Sequence, residues 1–130
     1  MKKRWMAALT LACMIMLGSI AYGSGTFQFS FPNYVSGSLR KTPYYLTKDT
    51  SSTPYVQTNN STISTVYFLA PYDQELVMAT HTRYITTAGT YYFTWNSGYG
   101  GIGTFYRLEG YPDLNNGSWN AYSVNGTWSP

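Results

Sequence analysis

The feature that most constrains this chain is a run of alternating rings between Ala88 and Gly110. Tyr91, Phe93 and Trp95 fall on one side of an extended segment and Thr90, Tyr92 and Thr94 on the other, the period of two that marks a half-buried strand. After the glycine-rich stretch Asn96 to Gly103 the pattern resumes. Thr104, Tyr106 and Leu108 then share one face, and Phe105, Arg107 and Glu109 the opposite one. The two runs predict a pair of strands joined as a hairpin by that loop.

The rest of the chain repeats the theme. Phe27, Phe29 and Phe31 alternate with Gln28 and Ser30 in a first strand that Pro32-Asn33 stops. Ser36-Gly37-Ser38 reads as a turn, and Leu39 to Thr47 as an irregular edge strand interrupted at Pro43. A short extended piece follows at Pro54 to Thr58. Ile63 to Leu69 has apolar side chains on both faces and reads as a central strand. Glu75 to Ile85 reads as one long strand or two short ones, with Thr80 to Tyr84 exposed. The last segment carries Tyr122, Val124, Gly126 and Trp128 on one face, Gly126 marking a bulge or a close backbone approach.

Strand-sized runs separated by Gly, Pro, Asn and Ser clusters, with no helical spacing after the first two dozen residues, predict an all-β fold. The expected architecture is an antiparallel β-sandwich, or a partly open barrel, of seven or eight short strands in a single domain, residues 24–130.

Residues 1–23 read as a helical signal peptide. Met1-Lys2-Lys3-Arg4 is a basic start, Trp5 to Ile20 an apolar run, and Ala21 and Gly23 supply small residues for cleavage after Gly23. Cleavage after Ala21 is the neighbouring alternative. A retained anchor would need a longer run, about 20 residues. Cys13, the single cysteine, lies inside the leader without the Leu three residues earlier that a lipoprotein carries. The expected location is therefore extracellular, with the membrane met during export alone and no disulfide in the mature chain.

Removing the leader also removes Lys2, Lys3 and Arg4, which account for the whole formal charge of +3. Five bases then face five acids. A neutral domain gives no electrostatic reason to bind nucleic acid. With no thiol staple, aromatic packing must hold the fold, and all six Phe remain after the leader, each able to bury about 150–250 Å².

Motifs for chemistry are sparse. Gly98-Tyr99-Gly100-Gly101-Ile102-Gly103 matches G-x-G-x-x-G, but it runs into strand residues where a dinucleotide site needs a helix N-terminus, so a hairpin loop is the better account. His81 is the only histidine, which removes the two-histidine zinc signatures. Asp113 to Gly117 resembles part of a calcium loop but lacks the downstream glutamate, and reads as a turn. No cofactor is expected. The leader has a bacterial look, so the sequons at Asn59, Asn60, Asn116 and Asn125 are set aside.

His81 with Arg83, and Arg107 with Glu109, would make a polar cluster if their strands were neighbours; otherwise they are solvated side chains on an exposed face. Together with Tyr99 and Tyr111 these four form the candidate recognition surface, and Tyr44, Tyr45 and Tyr72 add rings near loops that could stack on sugars.

Ala121 to Trp128, the F-x-F pair of Phe27 and Phe29, Ser36 to Thr42, Pro54-Tyr55-Val56 and Thr65 to Leu69 resemble small secreted proteins of bacilli grouped as a domain of unknown function. The resemblance implies export and one β-domain. Two function classes stay open. One is a non-enzymatic secreted protein acting by surface contacts, either bacteriocin-like effector or accessory, or cell-envelope binding module, with an unknown protein or a cell-wall glycan as partner. The other is a small hydrolase using Asp73, Glu75, Glu109, Asp113 and His81; gathering of these groups around one pocket would favour it.

Overall fold

The computed structural model describes residues 23–33 and 38–130. All of the leader but Gly23, and most of the turn at Ser36-Gly37-Ser38, lie outside them. Nine strands occur among the described residues: β1 (Gly25–Phe31), β2 (Arg40–Lys41), β3 (Leu46–Thr47), β4 (Tyr55–Thr58), β5 (Thr65–Pro71), β6 (Arg83–Ile85), β7 (Gly89–Tyr92), β8 (Phe105–Pro112) and β9 (Tyr122–Ser129). The only helical element among them is a 3-10 turn at Leu114–Asn116. None of the described residues forms a helix long and apolar enough to cross a membrane.

The strands form two antiparallel sheets packed face to face. One sheet has the order β1-β9-β4-β7; in the other, β2-β8-β5-β6 lie side by side and β3 also pairs with β8. Rings and branched side chains from the two inner faces meet between them. Phe27, Phe29, Phe31, Val56, Val124 and Trp128 come from the first sheet, and Leu46, Tyr67, Leu69, Ile85, Tyr106 and Leu108 from the second. At about 1.5–3 kcal/mol per fully buried large side chain, this layer is what replaces a disulfide. It is the predicted sandwich, and the alternation in β1, β8 and β9 assigns the inward residues correctly.

Several local readings hold. The stretch around Pro43 yields two short pieces, β2 and β3, at the margin of their sheet, as a strand that cannot keep its ladder must. The central strand is β5, with all seven residues buried, although Ile63 stays outside it and is exposed. Gly126 is the close approach that its isolated position in a strand suggested. A Cβ there would sit 1.7 Å from the Gln57 carbonyl oxygen on β4.

Other readings need correction. The runs flanking Asn96 to Gly103 are not a hairpin: β7 pairs with β4 in one sheet, while β8 pairs with β5 and the β2 and β3 pieces in the other. The glycine loop crosses from one layer to the other. Period-two spacing fixes which side a residue faces and says nothing of the neighbouring strand. The stretch Glu75 to Ile85 supplies only β6, preceded by a turn and by a single bridge between Thr80 and Trp95. Thr80, expected on an exposed strand, is buried, its hydroxyl accepting from the Leu69 amide at 3.1 Å.

The open edge of β1 is covered by side chains. The Arg40 guanidinium donates through Nε to the Ser30 carbonyl at 2.8 Å, and the Tyr44 hydroxyl donates to the Thr26 carbonyl.

Candidate functional site: an aromatic groove on β8

The outward-facing residues of β8 are Phe105, Arg107, Glu109 and Tyr111, and they define a continuous line of features across the second sheet. At the start of the line, Phe105 and the loop tyrosines Tyr45 and Tyr72 form a chain of rings. The Tyr45 and Tyr72 centroids lie 4.8 Å apart, and those of Tyr72 and Phe105 6.2 Å apart. Both inter-ring angles, 53° and 59°, are tilted rather than parallel. Tyr72 keeps 61% of its surface exposed and Phe105 47%. Beside them is a groove of about 440 Å³ whose wall includes Pro71, Gln74, Tyr99 and Thr104.

The groove is held by the backbone on both sides. The Tyr72 amide donates to the Phe105 carbonyl at 3.0 Å, and the Asp73 amide donates to the Tyr45 hydroxyl at 3.0 Å. Asp73 and Leu76 both adopt the left-handed region, with φ of 56° and 61°. Roughly 1–2 kcal/mol of backbone strain at Leu76 is thus held in the turn that carries Tyr72. On the other wall, the Gly100 amide donates to the Tyr106 hydroxyl at 2.8 Å, and Gly100 lies so close to the Trp95 ring that a Cβ would come within 2.7 Å of it. The glycine loop is folded down onto an indole; no helix follows it, and Phe105 opens β8 instead.

Further along the line, Arg107 lies with its guanidinium 5.2 Å above the Tyr45 ring and is 9% exposed. Glu109 is fully buried. These two were expected on a solvated face. They are covered because the strained turn folds over β8, bringing the Leu76 amide to Glu109 Oε1 at 3.3 Å. Arg107 Nη2 is 3.8 Å from the same oxygen, while Glu109 Oε2 and Arg107 Nε are buried without a hydrogen-bond partner. Burial pushes the Glu109 carboxyl above the usual range, opposed by the Leu76 amide and by Arg107. Glu75 behaves oppositely. The hydrogen bond and charge of Lys41, whose Nζ is 2.8 Å from Glu75 Oε2, hold that carboxyl below the usual range.

At the far end, Tyr111 lines a smaller cleft of about 270 Å³ with Leu39, Glu75, Leu76, Leu114 and Trp119. Leu76 therefore both covers Glu109 and walls this cleft.

Of the six candidate residues, four lie along this line: Tyr99 on the groove, Arg107 and Glu109 beneath the turn, Tyr111 on the cleft. His81 and Arg83 do not join them, because β5 stands between β6 and β8. His81 is exposed and its amide donates to the Thr94 carbonyl at 2.8 Å, while the Arg83 guanidinium lies 5.7 Å over the Tyr91 ring. The acids also serve separate ends. Asp113 caps the 3-10 turn through the Asn115 amide at 3.0 Å and accepts from Ser64 Oγ at 3.1 Å. Among the described residues no three of His, Cys, Asp and Glu come together as a metal site would need.

The sequence reading passed over Phe105. Its signal was present: an aromatic residue on the face of a strand opposite to Tyr106 and Leu108 has no inward role. No family model, characterised protein or solved structure matches the chain.

Proposed function

We propose that the chain is a secreted, non-enzymatic binding module that docks on a component of the cell envelope through the aromatic groove. The observation that carries this reading is the ring chain of Tyr45, Tyr72 and Phe105, in which Tyr45 is half-buried and Tyr72 and Phe105 are exposed. Large rings left in water forgo burial that the interior could have supplied, and clustered exposed rings beside a groove mark contact sites. Both walls are tied down by backbone hydrogen bonds, so a partner meets rings already in place and less ordering entropy opposes binding. A role as a bacteriocin-like effector uses the same surface. The resemblance to small exported proteins of bacilli agrees with a target outside the cell.

The hydrolase reading draws on the raised Glu109 carboxyl with Glu75 close enough to influence it. It is the weaker account: the Glu109 side chain is sealed from solvent and Glu75 is engaged by Lys41. A general acid must reach its substrate within hydrogen-bond distance.

The test is a pull-down of the labelled chain, produced with its leader and purified as the host releases it, on cell-wall fragments and whole bacteria. Tyr72→Ala and Phe105→Ala are each expected to weaken capture about tenfold or more, matching the ~1.4 kcal/mol or above that a ring at the centre of a contact contributes. Capture unaffected by both substitutions would sink the groove as the docking site.

A further inference from the structure

The outer face of the four-stranded sheet has a composition that surface residues rarely show. β1, β9, β4 and β7 carry no charged residue at all, although residues 23–130 hold ten. Soluble surfaces usually devote about a quarter to a third of their residues to charge. The absence is not explained by burial, since the outward positions of these strands are exposed or partly so.

The register arranges those positions in rows. Thr26 pairs with Thr127, Thr127 with Gln57, and Gln57 with Thr90, so one row of hydroxyl and amide groups crosses all four strands. On one side of it Gln28 faces Asn125. On the other, Tyr55 faces Tyr92, with ring centroids 6.5 Å apart and Tyr92 59% exposed. Cross-strand contacts already orient part of the array: Thr127 Oγ1 donates to Gln57 Oε1 at 3.4 Å, and Asn59 Nδ2 to Asn125 Oδ1 at 2.9 Å.

We propose that this face is a second binding surface, separate from the groove on β8, and that its ligand is a neutral polysaccharide lying across the strands. The chemistry selects the partner. An anionic polymer or lipid surface would call for lysine and arginine, which the strands lack. A protein partner would call for an apolar or arginine-anchored centre, whereas the middle of this face is Thr127 and Gln57. An uncharged hydroxylated chain needs rows of donors and acceptors that can replace its water, with rings beside them to receive the apolar faces of its sugars, and both are present.

Co-sedimentation of the released chain with cellulose and with chitin particles tests this, at ionic strengths of about 0.05 M and about 1 M. The expected result is retention on at least one polymer, with an affinity that the salt leaves unchanged. Gln57→Lys, and independently Thr90→Lys at the sheet margin, should weaken retention at least about tenfold, because a charge would have to lose its water against a neutral ligand. Gln57→Asn should retain binding. Near-ultraviolet circular dichroism identifies any variant that has lost its fold, and either lysine variant suffices for the reading. Tyr72→Ala should leave retention on the polymer intact while weakening capture on cell-wall fragments, which separates this surface from the groove. Failure to sediment with either polymer, retention unchanged in both folded lysine variants, binding abolished by salt, or a dimer that Gln57→Lys dissociates would each overturn the proposal.

Discussion

Replacing Gly126 with Ala tests the contact on which the four-stranded sheet depends. A Cβ at this position would lie 1.7 Å from the Gln57 carbonyl oxygen, 2.8 Å from its carbonyl carbon and 3.0 Å from the Phe27 ring. Carbon and oxygen in non-covalent contact settle near about 3.3 Å, so β4 and β9 would have to separate locally by about 1.6 Å. Both close atoms are backbone, so no rotamer change relieves the clash. The separation would fall where Thr58 pairs with Gly126, next to the Asn59 amide bonded to the Asn125 carbonyl at 2.9 Å. Losing two or three such bonds at about 1 kcal/mol each, with about 1–3 kcal/mol for overpacking against Phe27, gives about 3–6 kcal/mol. Domains of this size have about 5–15 kcal/mol in total. Gly101→Ala is the matched control, because its nearest neighbour, Thr104 Cγ2, is 3.9 Å away. Both substitutions remove the same freedom from the unfolded chain, so their difference isolates the native contact. In urea unfolding followed by tryptophan fluorescence, Gly126→Ala should fall about 3–6 kcal/mol below the control, with Tm lower by roughly 15–35 °C. A difference below about 1 kcal/mol would mean that β4 does not lie against β9, and the row through Thr127 and Gln57 would go with it.

Glu109 gives a pH dependence of defined sign. Its carboxyl is raised in the folded state by burial, so the folded chain holds a proton that the unfolded chain releases, and stability falls as pH rises from the unfolded value of about 4.5 through the folded one. Glu75, lowered by Lys41, works below that window, where its contribution is lost on acidification. Urea midpoints from about pH 4.5 to 7.5 should decline in the native chain and lose that component in Glu109→Gln; identical slopes would contradict it. Tyr106→Phe removes the acceptor of the Gly100 amide and should cost about 1–2 kcal/mol, with faster hydrogen exchange at Gly100 and unchanged exchange in β5. No change at Gly100 would show that the loop is held by its packing on Trp95 alone.

What the sequence disclosed and what it withheld follow from one distinction. Alternation within a strand is a local property, so the inward sides of Phe27-Phe29-Phe31, Tyr106-Leu108 and Val124-Trp128 could be read directly. Partnership between strands depends on distant segments. Thus β7 and β8, adjacent in the chain, separate into different sheets, and β4 takes the place beside β7 that the hairpin reading gave to β8. Arg107 and Glu109 were misjudged for a related reason. Their outward direction was right, but a second layer of chain covers that face, and nothing in the alternation of β8 announces a turn held by left-handed Asp73 and Leu76 some thirty residues earlier. Of the groove, the loop tyrosines were visible as candidates; their assembly with Phe105 was not, because it rests on that same turn.

The caps on β1 have a consequence for how such a chain fares at high concentration. A strand whose outer carbonyls are open offers any passing copy a ready line of acceptors on which to extend the sheet. Here Arg40 and Tyr44 have already taken the Ser30 and Thr26 oxygens. A newcomer would have to displace a charged donor and a phenol before adding its first bond at those positions, which hinders copies at high concentration from stacking into fibres along this border.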